Sequence, residues 1–214
     1  MDMVKSLKSA GIIPVIVIDD ITKAVPLAKA LVAGGLPVLE VTFRTACAAE
    51  AIAKIKAEVP GAILIAGTVL KLEQLKAAAA AGAEACVAPG FDPMIVKAAI
   101  EMGMPFCPGV ATASELSQAL SLGCNMVKFF PAESAGGVKY IKDLLGAFRW
   151  TGVSIMPTGG VKPTNVRDYL AVPEIVACGG TWIVPKDALA ANDYAKIEAL
   201  AAEAAGIVKE VRAK

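Results

Sequence analysis

The chain has 214 residues, of which 56% are hydrophobic and 19% charged, with 21 basic against 20 acidic side chains. That length provides a core for one large domain, and the balanced charge excludes the basic surface that nucleic acid or an acidic membrane would require. The longest apolar run, Ile12 to Ile18, contains Pro14 and is far shorter than the roughly 20 residues of a transmembrane helix. The first residues lack the pattern of a signal peptide, so we expect a cytoplasmic protein that acts on a small molecule.

The chain contains no histidine, which excludes several kinds of active site. A Ser-His-Asp triad, a Cys-His pair and zinc or iron sites built on imidazole cannot be formed. The five cysteines are scattered without a close pair, which is a poor framework for disulfides or for zinc. The chemistry must therefore come from Lys, Glu, Asp, Arg, Tyr or Cys side chains, or from a cofactor.

Short β-rich runs alternate with Ala-rich amphipathic runs along the chain. Strands are predicted at Ile12–Ile18, Pro37–Thr42, Ala62–Ala66, Ala85–Ala88, Pro105–Cys107, Asn125–Phe129, Val153–Pro157 and Ile175–Cys178. Helices are predicted at Ile21–Ala33, Ala46–Glu58, Lys71–Ala81, Pro93–Met102, Ser114–Leu122, Gly137–Leu145, Thr164–Ala171 and Asp193–Arg212. Because the strands are apolar on both faces, the pattern predicts one (β/α)8 TIM barrel over residues 1–214, with a doubly wound open sheet as the alternative.

The second predicted strand, VLEVTFR at residues 38–44, carries polar side chains at alternate positions. Glu40, Thr42 and Arg44 share one face because side chains alternate along a strand. The apolar face suits the helix layer, so Glu40 is predicted to point into the barrel. A buried carboxylate needs a partner or a chemical task. From spacing alone, an ion pair with Arg44 and a catalytic role are both open.

The sixth predicted strand, NMVKFFP at residues 125–131, places Lys128 in an apolar run. Lysine is rarely fully buried, and desolvation favours the neutral amine, which can attack a ketone. The alternative is a lysine at a strand end that reaches water or neutralises a carboxylate. Phe129 and Phe130 follow the lysine, and the alternation of side chains places Phe130 inside, where it would keep a pocket dry.

Small and hydroxyl-bearing residues follow three other predicted strands, at Gly67-Thr68, at Thr158-Gly159-Gly160 and at Gly179-Gly180-Thr181. A Gly-Gly pair lets an anion approach backbone N–H groups closely. The two pairs follow the last two strands, where a barrel usually binds phosphate, although tight loops alone would also account for them. Together with Lys128, Glu40 and Arg44, they form the set that a metal-free carbonyl lyase requires.

At these residues the sequence resembles bacterial 2-keto-3-deoxy-6-phosphogluconate (KDPG) aldolase, also called 4-hydroxy-2-oxoglutarate (KHG) aldolase. The matching stretches are PVIVI (14–18), AVPLAKALVAGGLPVLEVTFRT (24–45), AGTVL (66–70), PGV (108–110), VKFFPAE (127–133), PTGGV (157–161) and ACGGTW (177–182). The resemblance implies a class I aldolase, a homotrimer of barrels, that cleaves KDPG to pyruvate and glyceraldehyde 3-phosphate. It also implies cleavage of KHG to pyruvate and glyoxylate, with no metal and no cofactor beyond an imine on Lys128.

The resemblance also implies roles for individual residues. Lys128 matches the Schiff-base lysine and Glu40 the general acid and base, whereas Arg44 and Thr68 match the groups that bind the pyruvate carboxylate. The remaining substrate-binding candidates lie around the rest of the mouth: Thr158 near the aldehyde half, Gly159, Gly160, Gly180 and Thr181 at the phosphate, Phe130 beside the lysine, and Pro89. Pro89 follows Ala88, where the family often has serine.

Two other functions remain open from the sequence. Another phosphate-binding barrel enzyme, such as an epimerase or isomerase, would use the same glycine turns without trapping pyruvate. The Ala-rich helix faces also suit an aldolase-derived scaffold or self-assembling subunit, in which catalysis is incidental and the trimer is part of a larger assembly.

Overall fold

The computed structural model describes residues 3–213, in which parallel strands alternate with helices. The strands are β1 (Ile12–Ile16), β2 (Val38–Thr42), β3 (Ile63–Gly67), β4 (Ala85–Val87), β5 (Phe106–Cys107), β6 (Gly109–Val110), β7 (Met126–Phe129), β8 (Ser154–Pro157) and β9 (Cys178–Gly180). The α-helices are α1 (Met3–Ala10), α2 (Ala24–Ala33), α3 (Ala48–Glu58), α4 (Leu72–Ala80), α5 (Pro93–Glu101), α6 (Ala113–Ser121), α7 (Gly137–Phe148), α8 (Val166–Leu170), α9 (Lys186–Ala190) and α10 (Tyr194–Arg212).

The strands form two parallel sheets, one six-stranded in the order β5-β4-β3-β2-β1-β9 and one three-stranded in the order β6-β7-β8. Pro108, which has no N–H to donate, separates β5 from β6. Isolated bridges pair Ile155 with Ile175 and Thr158 with Gly179. The predicted α/β class with parallel strands is therefore confirmed.

One predicted strand is misplaced, and several short elements were not predicted. The last strand, predicted at Ile175–Cys178, is Cys178–Gly180, because Ile175 makes only a single bridge and the backbone joins β1 only from Cys178 onward. The helices at Met3–Ala10 and Lys186–Ala190 and the two-residue strand at Gly109–Val110 were not predicted. Within residues 3–213, no helix combines the length and the apolar character that a membrane crossing requires.

Side chains on the two faces of the strands form two separate apolar clusters. The helix-side cluster includes Leu39, Val41 and Phe129, packed with side chains of the helices. The inner cluster includes Val38 and Met126 at the starts of β2 and β7, together with three residues of α1 (Met3, Leu7 and Ala10). Since α1 packs where the strands begin, the inner face is left for polar groups where the strands end. This arrangement puts the predicted site residues at the carboxyl ends of the strands.

Candidate active site

Lys128 and Glu40 form an ion pair on the inner face of the strands. Lys128 lies on β7 and is 4% exposed, and Glu40 lies on β2 and is fully buried. Nζ of Lys128 donates hydrogen bonds to Oε1 of Glu40 at 2.9 Å and to Oε2 at 3.3 Å. The prediction from alternation, that Glu40 points inward, is confirmed. The partner of Glu40 is Lys128 and not Arg44, and Lys128 does not extend to water.

A buried ion pair contributes little net stability, because removing two charges from water costs about as much as their attraction returns. An apolar pair of the same volume would hold the strands together equally well, so stability alone does not account for Lys128 and Glu40. The aromatic ring of Phe130 lies over the amine, with its centroid 5.9 Å from Nζ. Phe129 instead packs in the helix-side cluster, as the alternation predicts.

Gly67, the last residue of β3, makes room for the Glu40 carboxylate. A Cβ at this position would lie 2.7 Å from Cγ and 2.9 Å from Cδ of Glu40, closer than real atoms approach. The orientation of the carboxylate toward Lys128 therefore depends on the absence of a side chain at Gly67.

Replacing Gly67 with alanine is expected to lower kcat, for the aldol cleavage that the resemblance implies, about 100-fold. The reason is that the methyl group displaces the Glu40 carboxylate by about an ångström. Steady-state kinetics beside a thermal melt measure the effect. The matched control is Gly146→Ala, since Gly146 lies exposed in α7 with no atom within 4 Å of an added Cβ. The control should keep normal kcat and gain about 0.5–1 kcal/mol of stability. Normal kcat in Gly67→Ala would show that the carboxylate need not be held where it lies.

Arg44 and Thr68 meet at the rim, just after β2 and β3. Nε of Arg44 donates to Oγ1 of Thr68 at 3.3 Å. Thr68 has φ of +58°, a left-handed conformation that strains a β-branched residue and persists only where the surroundings fix it. Gln74 supplies part of that restraint, since it accepts from the N–H of Leu70 at 2.8 Å and donates to the carbonyl of Phe43 at 3.4 Å. Sequence reasoning missed Gln74, which has no signal beyond its place in a helix.

A cavity of about 690 Å³ opens at the ends of β1, β2 and β9. Two predicted substrate-binding residues, Arg44 and Thr181, line it, together with Asp19, Lys23 and Lys186. Lys128 and Glu40 do not line the cavity, so Arg44 is the residue that connects it with the strand bearing Glu40. Asp19 and Lys186 were not predicted at this site, because exposed charged residues in loops and helix starts carry no distinguishing pattern.

Thr158 is 6% exposed, and its hydroxyl has no hydrogen-bond partner within residues 3–213. The main chain of Thr158 is fixed from both sides: its N–H donates to Phe129 at 2.9 Å and its carbonyl accepts from Ala132 at 2.8 Å. A buried hydroxyl without a partner costs free energy, and a hydroxyl of a bound ligand could supply the missing bond.

The remaining predicted residues lie around the same end of the strands. Gly159 and Gly160 have φ of +100° and +80°, so their turn requires glycine. Gly180 is buried, and a Cβ there would lie 2.5 Å from Cε3 of Trp182, whose ring covers it. Pro89 is half-buried and its carbonyl group lies against Gly109, which pairs in register with Lys128.

Buried thiols are poor alternatives to Lys128 as a nucleophile. Desolvation raises the pKa of Cys86 to about 12 and also raises the pKa of Cys107 and of Cys178. The reactive thiolate is therefore scarce at neutral pH. Within residues 3–213, no three Cys, Asp or Glu side chains are grouped so that they could hold a metal ion.

Several known proteins resemble this chain in sequence and in fold. The "KHG/KDPG aldolase" of Escherichia coli K12 is 49% identical over 198 residues, 92% of each chain. The crystal structure of the Zymomonas mobilis ZM4 KDPG aldolase with 3-phosphoglycerate matches with a TM-score of 0.90 and 46% identity, covering 95% of both chains. The Legionella pneumophila KDPG aldolase, with pyruvate captured as a covalent carbinolamine, matches with a TM-score of 0.91 and 38% identity over 95% of this chain and 98% of that one. The family model for "KDPG and KHG aldolase" matches residues 3–200, and the chain therefore belongs to this aldolase family.

Proposed function

We propose that this protein is a class I aldolase that cleaves KDPG to pyruvate and glyceraldehyde 3-phosphate through an imine on Lys128, and that it also cleaves KHG. The observation that carries the proposal is the buried amine of Lys128, 2.9 Å from the Glu40 carboxylate. An amine and a carboxylate in contact provide both the nucleophile and the proton carrier of a Schiff-base reaction. The carbinolamine in the Legionella pneumophila relative is the intermediate that precedes such an imine.

Imine formation begins when Nζ of Lys128 loses a proton to solvent, while its hydrogen bond to Glu40 keeps the amine in place. The free amine attacks C2 of the keto acid and forms a carbinolamine. Its hydroxyl group takes a proton back from solvent and leaves as water, and an iminium bound to Lys128 remains. The iminium is an electron sink that the free ketone does not offer.

Cleavage follows when the Glu40 carboxylate takes the proton of the C4 hydroxyl. The C3–C4 bond breaks, the aldehyde leaves, and the electron pair of that bond forms an enamine of pyruvate on Lys128. Glu40 returns the proton to C3, which regenerates the iminium. Water then attacks the iminium and frees pyruvate and the amine. One carboxylate thus acts in turn as base and acid.

Substrate binding is assigned to the rim. The guanidinium of Arg44, beside the Thr68 hydroxyl, binds the keto-acid carboxylate. The unpartnered hydroxyl of Thr158 bonds the aldehyde half, and Phe130 shields the amine from water. The phosphate binds at the loops of Gly159, Gly160, Gly180 and Thr181, with Pro89 at the edge of the mouth. The cavity lined by Arg44 and Thr181, about 690 Å³, has the volume of a small-molecule site, and Arg44 connects it with the strand that carries Glu40.

Steady-state kinetics with KDPG and with KHG test the proposed function, with pyruvate release as the measured quantity. Both substrates should release one pyruvate for each aldehyde formed. A protein that interconverts a sugar phosphate without releasing pyruvate would instead be an epimerase or isomerase, and the aldolase proposal would be wrong.

Treatment with EDTA is expected to leave kcat unchanged, because the iminium on Lys128 replaces a metal ion as the electron sink. The rate of pyruvate release before and after dialysis against EDTA measures this. A loss of activity that added Mg²⁺ or Zn²⁺ restores would contradict a metal-free mechanism.

We propose that the two parallel sheets close into a single barrel and that residues 1–214 form one domain. We also propose that the chain assembles as a homotrimer and acts in the cytoplasm. The bridge between Thr158 and Gly179 supports closure on one side. Exposed apolar side chains support assembly: Leu70 is 51% and Met94 79% exposed. Light scattering tests the assembly, since a trimer fits the aldolase and a large closed particle would favour the self-assembling subunit.

A further inference from the structure

The loop after β7 is joined to α8 by a side-chain hydrogen bond from the Tyr169 hydroxyl to Oε1 of Glu133. Tyr169 is 1% exposed, and its ring belongs to the helix-side cluster. Burial and the neighbouring carboxylate raise the pKa of the Tyr169 phenol above its usual range, so the hydroxyl remains a donor. A buried phenol without a hydrogen-bond partner costs free energy of folding, so the bond to Glu133 fixes the positions of both side chains.

The same Glu133 packs against the Gly159-Gly160 turn after β8. A Cβ at Gly160 would lie 2.6 Å from both Cβ and Cγ of Glu133, so the glutamate stem and the turn are in direct contact. The N–H of Glu133 also donates to the carbonyl of Gly159 at 3.0 Å. Because both glycines have positive φ and no side chain, the conformation of the turn depends on such neighbours.

Asn165 supplies a second side-chain contact to the turn. Its Nδ2 donates to the carbonyl of Gly160 at 3.2 Å, and its Oδ1 accepts from the N–H of Lys162 at 2.7 Å. Gly160 is exposed, and its own N–H donates to none of the residues 3–213. The turn is thus fixed by two side chains, Glu133 and Asn165, while one donor stays open to an anion.

The negative charge of Glu133 is compatible with an anion nearby. Oε1 of Glu133 would lie 3.1 Å from a Cβ at Gly137, so the carboxylate lies against the first residue of α7. The positive end of a helix stabilises a carboxylate there, and the Tyr169 hydroxyl donates to the same oxygen. The stem of Glu133, rather than its charge, faces the turn.

We propose that Glu133 and Tyr169 are positioning residues for the phosphate end of the substrate: Tyr169 holds Glu133, and Glu133 holds the Gly159-Gly160 turn in the form that binds phosphate. Neither residue touches the reacting carbons. The inference rests on the proposed function and adds which groups set affinity for the phosphorylated substrate over KHG, which lacks phosphate.

Tyr169→Phe removes one hydroxyl and keeps the ring in the core. We expect the KM for KDPG to rise about tenfold with kcat unchanged, because binding common to ground state and transition state is lost. The KM for KHG and the rate of borohydride trapping with pyruvate should stay normal. Glu133→Ala should raise the KM for KDPG as Tyr169→Phe does. Glu133→Gln keeps a carbonyl oxygen that accepts from Tyr169, so its KM for KDPG should stay near the wild-type value.

Tyr194→Phe is the matched control, because among residues 3–213 the Tyr194 hydroxyl bonds only Oδ1 of Asn192, at 3.1 Å near the surface. A thermal melt of each variant separates folding from binding. Equal effects of Tyr169→Phe on KDPG and KHG, or a lower Tm with unchanged KM for KDPG, would overturn the inference and leave the aldolase intact. A wild-type protein that releases no pyruvate from KDPG would overturn the proposed function instead.

Discussion

Replacing Lys128 with methionine is expected to abolish covalent trapping of pyruvate and to lower kcat/KM for KDPG at least about 1,000-fold. Methionine is close to lysine in length and apolar, so it fills the buried space beside Phe130 without an amine. In the wild-type protein, borohydride and pyruvate should add a three-carbon group to Lys128, because reduction of the iminium makes the bond permanent. Mass spectrometry of the digested protein locates the adduct.

Lys54→Met is the control for this experiment. Lys54 lies exposed on α3, and its loss should change neither trapping nor turnover. Removing Lys128 also leaves the Glu40 carboxylate buried without its partner, which costs about 3–5 kcal/mol, so a thermal melt must accompany the kinetics. An adduct on another lysine, or trapping that persists in a folded Lys128→Met protein, would refute the assignment.

The alternation of side chains made the centre of the site predictable. VLEVT and MVKF each carry one ionisable residue among apolar ones, and a strand with a period of two leaves only one face for it. Glu40 and Lys128 therefore had to point to the same interior from different strands. Their separation of 2.9 Å could not be predicted, because it depends on the order of strands in space and on the bare backbone of Gly67.

The rim was less predictable than the centre, for physical reasons. Its residues lie in loops, where neither a period of two nor a helical period constrains orientation. Arg44 shares a face with Glu40 by spacing, yet its observed partner is Thr68, because the chain turns after β2. Asp19 and Lys186 line the cavity without any pattern that separates them from other surface charges. Glu133 belonged to a recognisable stretch, VKFFPAE, but its link to Tyr169 required the fold.

Replacing Glu40 with glutamine is expected to separate imine formation from bond cleavage. The amide keeps nearly the same shape and an oxygen acceptor for Nζ of Lys128, but it cannot carry the proton from the C4 hydroxyl to C3. Pyruvate should therefore still be trapped on Lys128 by borohydride, while kcat for KDPG falls at least about 100-fold. The rate of trapping and the rate of aldehyde release, measured on one preparation, distinguish the two steps.

Glu84→Gln is the control, because it removes a carboxylate outside the site. Glu84 pairs with Lys56 at 2.7 Å on the surface, where an ion pair stabilises the fold by about 1 kcal/mol or less. Its turnover should remain normal. Near-normal turnover in Glu40→Gln would remove Glu40 from the proton path. Loss of trapping together with turnover, in a protein that still melts normally, would instead assign Glu40 to the attack of the amine on C2. Only slow cleavage with intact trapping fits a carboxylate whose main task is to move the proton between C4 and C3.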